Sequence, residues 1–215
     1  MRRKTFSDSP VTYAAVGCTQ AGDVMTYPPT GFRSTFDECR LGSGAARFEA
    51  AAASLVTWGM PLGAQVRILQ ITEADATGYQ GLLFTEFGTP QRPELTPVEA
   101  VYSAEGTQAV SAGQSVEVNG VFRPFSSTSA FRVIYVIQEA RRAGYGWGTL
   151  DETPAVGEEY FGVEWREDDS VFAVVRTVTM IGKRRWCRIL SPLIRLRQRI
   201  VRRRYVRALL PARSV

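Results

Sequence analysis

The sequence contains no histidine in 215 residues. That absence removes Ser-His-Asp and Cys-His catalysis, His-ligated zinc and any histidine pH switch. Any proton chemistry therefore rests on carboxylates, tyrosines, lysines or cysteines. Cysteine is also scarce. Cys18, Cys39 and Cys187 are odd in number, widely spaced and form no CxxC pair, which is the pattern of a reducing compartment. No apolar run approaches the roughly 20 residues that span a bilayer. The basic start Met1-Arg2-Arg3-Lys4 leads into Thr5-Phe6-Ser7-Asp8-Ser9-Pro10 and not into an apolar signal core, so a cytoplasmic location is expected.

Acidic residues are missing from one region. From Lys183 to the end there are twelve basic residues and no acidic one, whereas the other 14 basic residues are outnumbered by all 21 acidic ones, which leaves residues 1–182 at −7. An acidic body with a basic tail can neutralise itself by docking the tail, or can offer it to phosphates or anionic lipid. The chain as a whole is 45% hydrophobic and 22% charged, a balance expected of one globular domain over residues 1–215.

Periodicity then orders the elements. Val11 to Val16 reads as a short strand, and a Pro/Gly loop follows around Tyr27-Pro28-Pro29-Thr30-Gly31, with order resuming at Leu41. Ala45 to Trp58 carries a helical stripe through Phe48, Ala51, Leu55 and Val56, with Ser43 or Gly44 as N-cap and Gly59 as stop. Strands are predicted at Val66 to Ile71, Gly81 to Phe87, Val98 to Ser103, Ser115 to Phe122 and Arg132 to Gln138. Glu158 to Trp165 and Ser170 to Val178 read as a hairpin around Arg166-Glu167-Asp168-Asp169. Residues 89–113 form a long excursion from the sheet. Pro192 opens a basic C-terminal helix over 192–210, whose broad apolar face is predicted to hold Leu193, Leu196, Ile200, Val201, Tyr205, Ala208 and Leu209. The fold class is therefore α+β: a mostly antiparallel curved sheet around a long C-terminal helix, with one shorter N-terminal helix. This is a helix-grip arrangement, in which sheet and helix enclose a cavity. A plain sandwich without a cavity satisfies the same order.

Seven motifs occur in sequence: Tyr13-Ala14-Ala15-Val16-Gly17-Cys18-Thr19, Leu41-Gly42-Ser43-Gly44, Trp58-Gly59-Met60, Arg132-Val133-Ile134-Tyr135-Val136, Gly144-Tyr145-Gly146-Trp147-Gly148-Thr149-Leu150, Gly157-Glu158-Glu159 and the terminal Gln198 to Tyr205. In this order, and over nearly the whole chain, they resemble the DUF1990 family, whose biochemical activity is not established. Likeness to START and polyketide-cyclase-like proteins rests on element order alone and is an analogy of fold. Two departures bear on function. Thr153 stands where the family usually has histidine, so a histidine-dependent role cannot operate here. Thr179-Met180-Ile181 replaces the usual Ser-Arg-Pro.

The candidate site follows from these motifs. Tyr145 and Trp147 alternate with glycines on one face and can stack on a flat ligand, or equally pack over a neighbouring strand. Adjacent Glu158 and Glu159 point to opposite faces of a strand, so at most one meets a cavity. Glu158 is the residue chosen to anchor a ligand, with either glutamate able to serve as a base. The competing reading pairs the inward glutamate with Arg197 or Arg204 of the helix. Gln198 and Tyr205 point the same way and offer an amide and a phenol, to a ligand or to the backbone. Gly42-Ser43-Gly44 is a simple helix cap or a phosphate cradle. The expected partner is a small apolar or amphipathic ligand held by Tyr145, Trp147, Glu158, Arg197, Gln198 and Tyr205. The basic helix, with Trp186 ahead of it, suits an anionic membrane surface, unless its apolar stripe is buried in the sheet. Nucleic acid is not expected, because no recognition motif accompanies the arginines. Neither is a cofactor or metal.

Overall fold

The structure is a computed structural model that describes residues 10–73, 83–84, 90–91, 108–120, 127–151 and 154–211. The predicted strand Val98 to Ser103, most of the excursion at 89–113 and Thr153 lie outside the described residues. The elements are β1 (Arg33–Ser43), α1 (Ala45–Val56), α2 (Gly59–Gly63), β2 (Val66–Thr72), β3 (Leu83–Phe84), β4 (Pro90–Gln91), β5 (Ser115–Gly120), β6 (Ser127–Glu139), β7 (Arg142–Thr149), β8 (Ala155–Trp165), β9 (Ser170–Ile181), α3 (Arg185–Ile189) and α4 (Ser191–Arg207).

Seven strands form one antiparallel sheet in the order β1-β9-β8-β7-β6-β5-β2, and β3 pairs with β4 separately. The sheet is curved and packs around the long C-terminal helix, which is the helix-grip arrangement. Register decides which side chains share a face, because opposite residues point the same way. Trp147 faces Glu159, which faces Thr177. Gly146 faces Tyr160, which faces Arg176. The row through Trp147 points inward to α4, and the row through Tyr160 points outward.

The inner face holds the main core, with Trp58, Tyr145, Trp147, Phe161, Val163, Ala173 and Val175 buried against Phe48, Ala51 and Leu55 of α1. The outer face carries a second cluster of Ile134, Tyr135, Ile137 and Tyr160. A register shift between Val133 and Tyr135 turns both Ile134 and Tyr135 outward.

Several expectations change. Val11 to Val16 is a series of bends leading to a 3-10 turn at Cys18–Gln20, not a strand. Its side chains bind across the outer face and leave its backbone outside the ladder, apart from Thr12 N–H to the Thr149 carbonyl at 2.9 Å. Order begins at Arg33, not Leu41, because β1 pairs along its length with β9. Ser43 is the end of that strand, and the Gly44 N–H donates to the Asp169 carbonyl at 3.0 Å. This loop therefore offers no phosphate cradle from that N–H. Helix α1 ends because Trp58 adopts φ 65°, and Gly59 then opens α2 instead of stopping the chain. The indole of Trp58, fully buried against Tyr145 at 5.5 Å, holds that left-handed backbone in place.

The broad apolar face assigned to α4 is only half buried. Tyr205 and Leu209 of that face are buried, together with Val206 outside it, and Val201 and Ala208 are partly so, but Leu193, Leu196 and Ile200 are exposed. Helix α4 leans on β1, β9 and α2, so its inward surface is narrower than a wheel suggests.

Candidate functional site

Because α4 rests on the β1–β9 side, a space remains between it and strands β5 to β8. This cavity measures about 470 Å³. Its walls are apolar side chains such as Val66, Val118, Phe131 and Val201, and its polar groups include Glu159, Arg197, Gln198, Arg202, Tyr205 and Thr179. Exposed Trp186, Leu190 and Leu193 stand at the rim.

Trp147 builds one wall. Its ring stacks on Phe131 at 4.5 Å between centroids and 17° between planes, and meets Phe161 edge-on at 4.9 Å. Its indole Nε1–H donates to Glu159 Oε2 at 3.0 Å, so one contact orients both the ring and the carboxylate. Glu159 sits deep in the cavity, where burial raises its carboxyl above the usual range against the opposing pull of the Trp147 N–H and the Arg202 charge. Arg202 itself is anchored by Asp37 of β1, Nε to Oδ2 at 2.7 Å. On α4, burial lowers the pKa of the Arg197 guanidinium and pushes the Tyr205 phenol up, Glu159 adding to the latter. Tyr205 lies edge-on to Phe161 at 5.0 Å.

Of the six residues chosen from the sequence, Trp147, Arg197, Gln198 and Tyr205 meet at this cavity. Tyr145 does not line it. Tyr145 is fully buried between Trp58, Trp147 and Phe161, with a hydroxyl lacking a hydrogen-bond partner among the described residues. Glu158 is on the opposite face of the sheet. The alternation along β8 admits only one of the two glutamates, and the pairing of Trp147 with Glu159 selects the latter.

Glu158 has a different setting. Oε2 accepts from Tyr13 Oη at 2.8 Å and Gly17 N at 2.7 Å, while Oε1 accepts from Thr19 N at 3.0 Å and from the Thr19 hydroxyl. Tyr135 Oη joins the network through Thr19 and through Gln20 Nε2 at 2.8 Å. The predicted partnership of the inward glutamate with Arg197 or Arg204 is replaced on both faces: Trp147 holds Glu159, and the N-terminal segment holds Glu158. Burial outweighs the four donors and raises the Glu158 carboxyl, and the adjoining Tyr13 phenol rises with it.

The alternating glycines are explained on this outer face. A Cβ at Gly144 would meet Tyr160, one at Gly146 would meet Tyr135, and one at Gly148 would meet Tyr13. They make room for three tyrosines rather than for a ligand. Sequence reasoning missed this cover and the Asp37–Arg202 pair. The signal for the cover was present in glycines that must underlie something bulky; the ion pair, 165 residues apart in sequence, left no local trace.

Among the described residues, no group of three or more His, Cys, Asp and Glu is placed to hold a metal ion, and no helix is long and apolar enough to cross a membrane. The model of the family described as Domain of unknown function (DUF1990) matches residues 12–109 and 94–208. The chain belongs to the DUF1990 family. No curated protein matches this DUF1990 chain in sequence. Among solved structures it is similar to a hypothetical protein from Helicobacter pylori, with TM-score 0.51 and 8% identity over 98% of this chain and 97% of that one. Lesser similarity extends to major latex-like protein 151 of Panax ginseng (TM-score 0.40, 11% identity, 84% and 99% covered) and to truncated norcoclaurine synthase of Thalictrum flavum (TM-score 0.43, 11% identity, 85% and 96% covered). At these identities the likeness concerns fold alone.

Glu159 also couples stability to pH. A carboxyl whose pKa is raised by folding binds protons more readily in the folded than in the unfolded chain, so stability falls as pH rises from the unfolded pKa through the raised one. Glu159→Gln keeps an acceptor for the Trp147 N–H and removes the titration. It is expected to melt higher than the native chain at pH 8, by about 2–4 °C for each kcal/mol relieved, and to lose that advantage near pH 4. Thermal melts across this range check it, and a lower midpoint at pH 8 contradicts it.

Proposed function

We propose that this DUF1990 protein binds a small amphipathic ligand in the cavity between the sheet and α4. Its polar group is held by Glu159, Arg197, Gln198 and Tyr205, and its apolar part lies against Trp147 and Phe131. What supports this reading is a space of about 470 Å³, within the ~300–1,000 Å³ of small-molecule sites, in which a few polar groups converge between apolar walls.

The test uses 1-anilinonaphthalene-8-sulfonate as probe and native mass spectrometry of the purified protein for a co-purifying molecule. The probe's fluorescence is expected to rise with saturable, one-to-one binding. Val201→Phe, which fills the cavity from α4, is expected to weaken binding about 10-fold or more, equivalent to ~1.4 kcal/mol, with little change in melting. Arg197→Gln is expected to weaken the anionic probe similarly. Absence of saturable binding, or binding indifferent to Val201→Phe, rejects the reading.

A second reading is supported by Glu159 alone. A carboxyl of raised pKa facing a bound molecule suits proton abstraction, and of the two glutamates only Glu159 lines the cavity. If an extracted ligand is turned over, Glu159→Gln is expected to abolish turnover while leaving the probe bound; turnover that survives this change removes the enzyme reading.

A further inference from the structure

Helix α3 and the first half of α4 present an apolar stripe to solvent. Trp186, Ile189, Leu193, Leu196 and Ile200 recur at steps of three and four residues and are all exposed, Ile189 by 78%, Leu193 by 51% and Leu196 by 53%. A stripe of this length is the kind of patch that marks an interaction surface. Exposed Lys183, Arg185, Arg188, Arg195, Arg199 and Arg203 accompany it, and no acidic residue occurs anywhere after Asp169. Trp186, Leu190 and Leu193 also rim the cavity, so the stripe reaches its mouth.

Charge decides among occupants. Two copies meeting through this face would bring their cations together with no acid from these helices between them, a costly arrangement of like charges. A nucleic acid would satisfy the arginines and leave the aliphatic stripe in water. An anionic lipid bilayer satisfies both, taking apolar side chains and an indole into the headgroup boundary and pairing cations with phosphates.

We infer that the exposed face of α3 and α4 docks on an anionic bilayer, so that the cavity opens toward the membrane from which its ligand is drawn. The ligand's route rests on the proposed function; the docking stands on the surface alone. Flotation of the full chain with phosphatidylglycerol/phosphatidylcholine vesicles is expected to recover ~10-fold more protein than flotation with phosphatidylcholine alone, and high salt is expected to reduce that recovery. Combined Ile189→Glu and Leu196→Glu, at positions exposed in the fold, is expected to lower recovery about 10-fold with the thermal midpoint unchanged. Failure of the native chain to float, equal flotation on neutral vesicles, or undiminished flotation of the double variant overturns the inference. So does a dimer in solution that Leu196→Glu converts to monomer. Binding of 1-anilinonaphthalene-8-sulfonate, measured without vesicles, separates the two claims: probe binding without flotation defeats docking only, and flotation without probe binding defeats the cavity reading only.

Discussion

Glu158→Ala is expected to lower the unfolding free energy by about 3–5 kcal/mol, because four neutral buried donors lose their shared acceptor and only some of them can relax. The carboxylate is wholly buried and accepts from Tyr13, from the Gly17 and Thr19 amides and from the Thr19 hydroxyl. Alanine leaves these donors facing a void, and each unsatisfied buried donor costs about 1–3 kcal/mol unless it relaxes. Glutamine is a partial remedy at best, because each carboxylate oxygen receives two donors and an amide NH₂ would confront one of those pairs. Its expected cost is about 1–3 kcal/mol. The damage should also be local. Residues 10–27 contribute no strand to the sheet, so limited proteolysis of Glu158→Ala is expected to cut first in this segment. Urea unfolding measures the total, and a loss below ~1 kcal/mol would contradict the assignment of Glu158 as the fastener of the outer face.

Gly157→Ala is expected to cost about 3 kcal/mol or more. Gly157 has φ +144°, and a Cβ there would run into the Val178 carbonyl oxygen and the Thr179 Cα of the adjacent strand. Both obstacles are backbone in the middle of a seven-stranded sheet, so neither can yield without breaking the β8–β9 ladder, and the dihedral itself is strained for any L side chain. Overpacking against a side chain, which can shift where backbone cannot, is milder, about 1–3 kcal/mol. Gly146→Ala, which meets the ring of Tyr135, should fall in that lower range. For a domain of this size 1 kcal/mol moves the midpoint by roughly 2–4 °C, so Gly157→Ala should melt about 6–12 °C lower. Gly22→Ala is the control, since nothing lies within 4 Å of a Cβ there. Equal melting of Gly157→Ala and Gly22→Ala would refute the strain argument.

The hairpin of β8 and β9, the strands β2, β5 and β6 and the terminal helix are legible in the sequence because each carries a local period. Alternation also establishes that Glu158 and Glu159 diverge. It cannot say which one points inward, because that depends on the strand β8 pairs with and in what register. Glu158 as the cavity residue is therefore off by one position, and a one-residue step along a strand moves a side chain to the other face. The N-terminal segment departs from its expected strand for a related reason. Val11 to Val16 has strand-like composition, yet its backbone is excluded from the ladder because Tyr13, Gly17 and Thr19 are engaged with Glu158.

The run from Gly144 to Thr149 shows the same division. Its alternation alone implies that Tyr145, Trp147 and Thr149 share one face and that the other is stripped of side chains. Only the tertiary fold decides that tyrosines 13, 135 and 160 fill the stripped face, and that of the two inward aromatics Trp147 reaches the cavity while Tyr145 is sealed in the core. On α4 the sequence determined an amphipathic basic helix, and the way it leans on β1, β9 and α2 determined how much of its apolar face is covered. Periodicity is a property of neighbouring residues and survives in the bare sequence. Register, lean and cover join residues of different elements, from Trp147 and Glu159 on neighbouring strands to Asp37 and Arg202 at 165 positions apart, and they exist only once the sheet has closed around its helix.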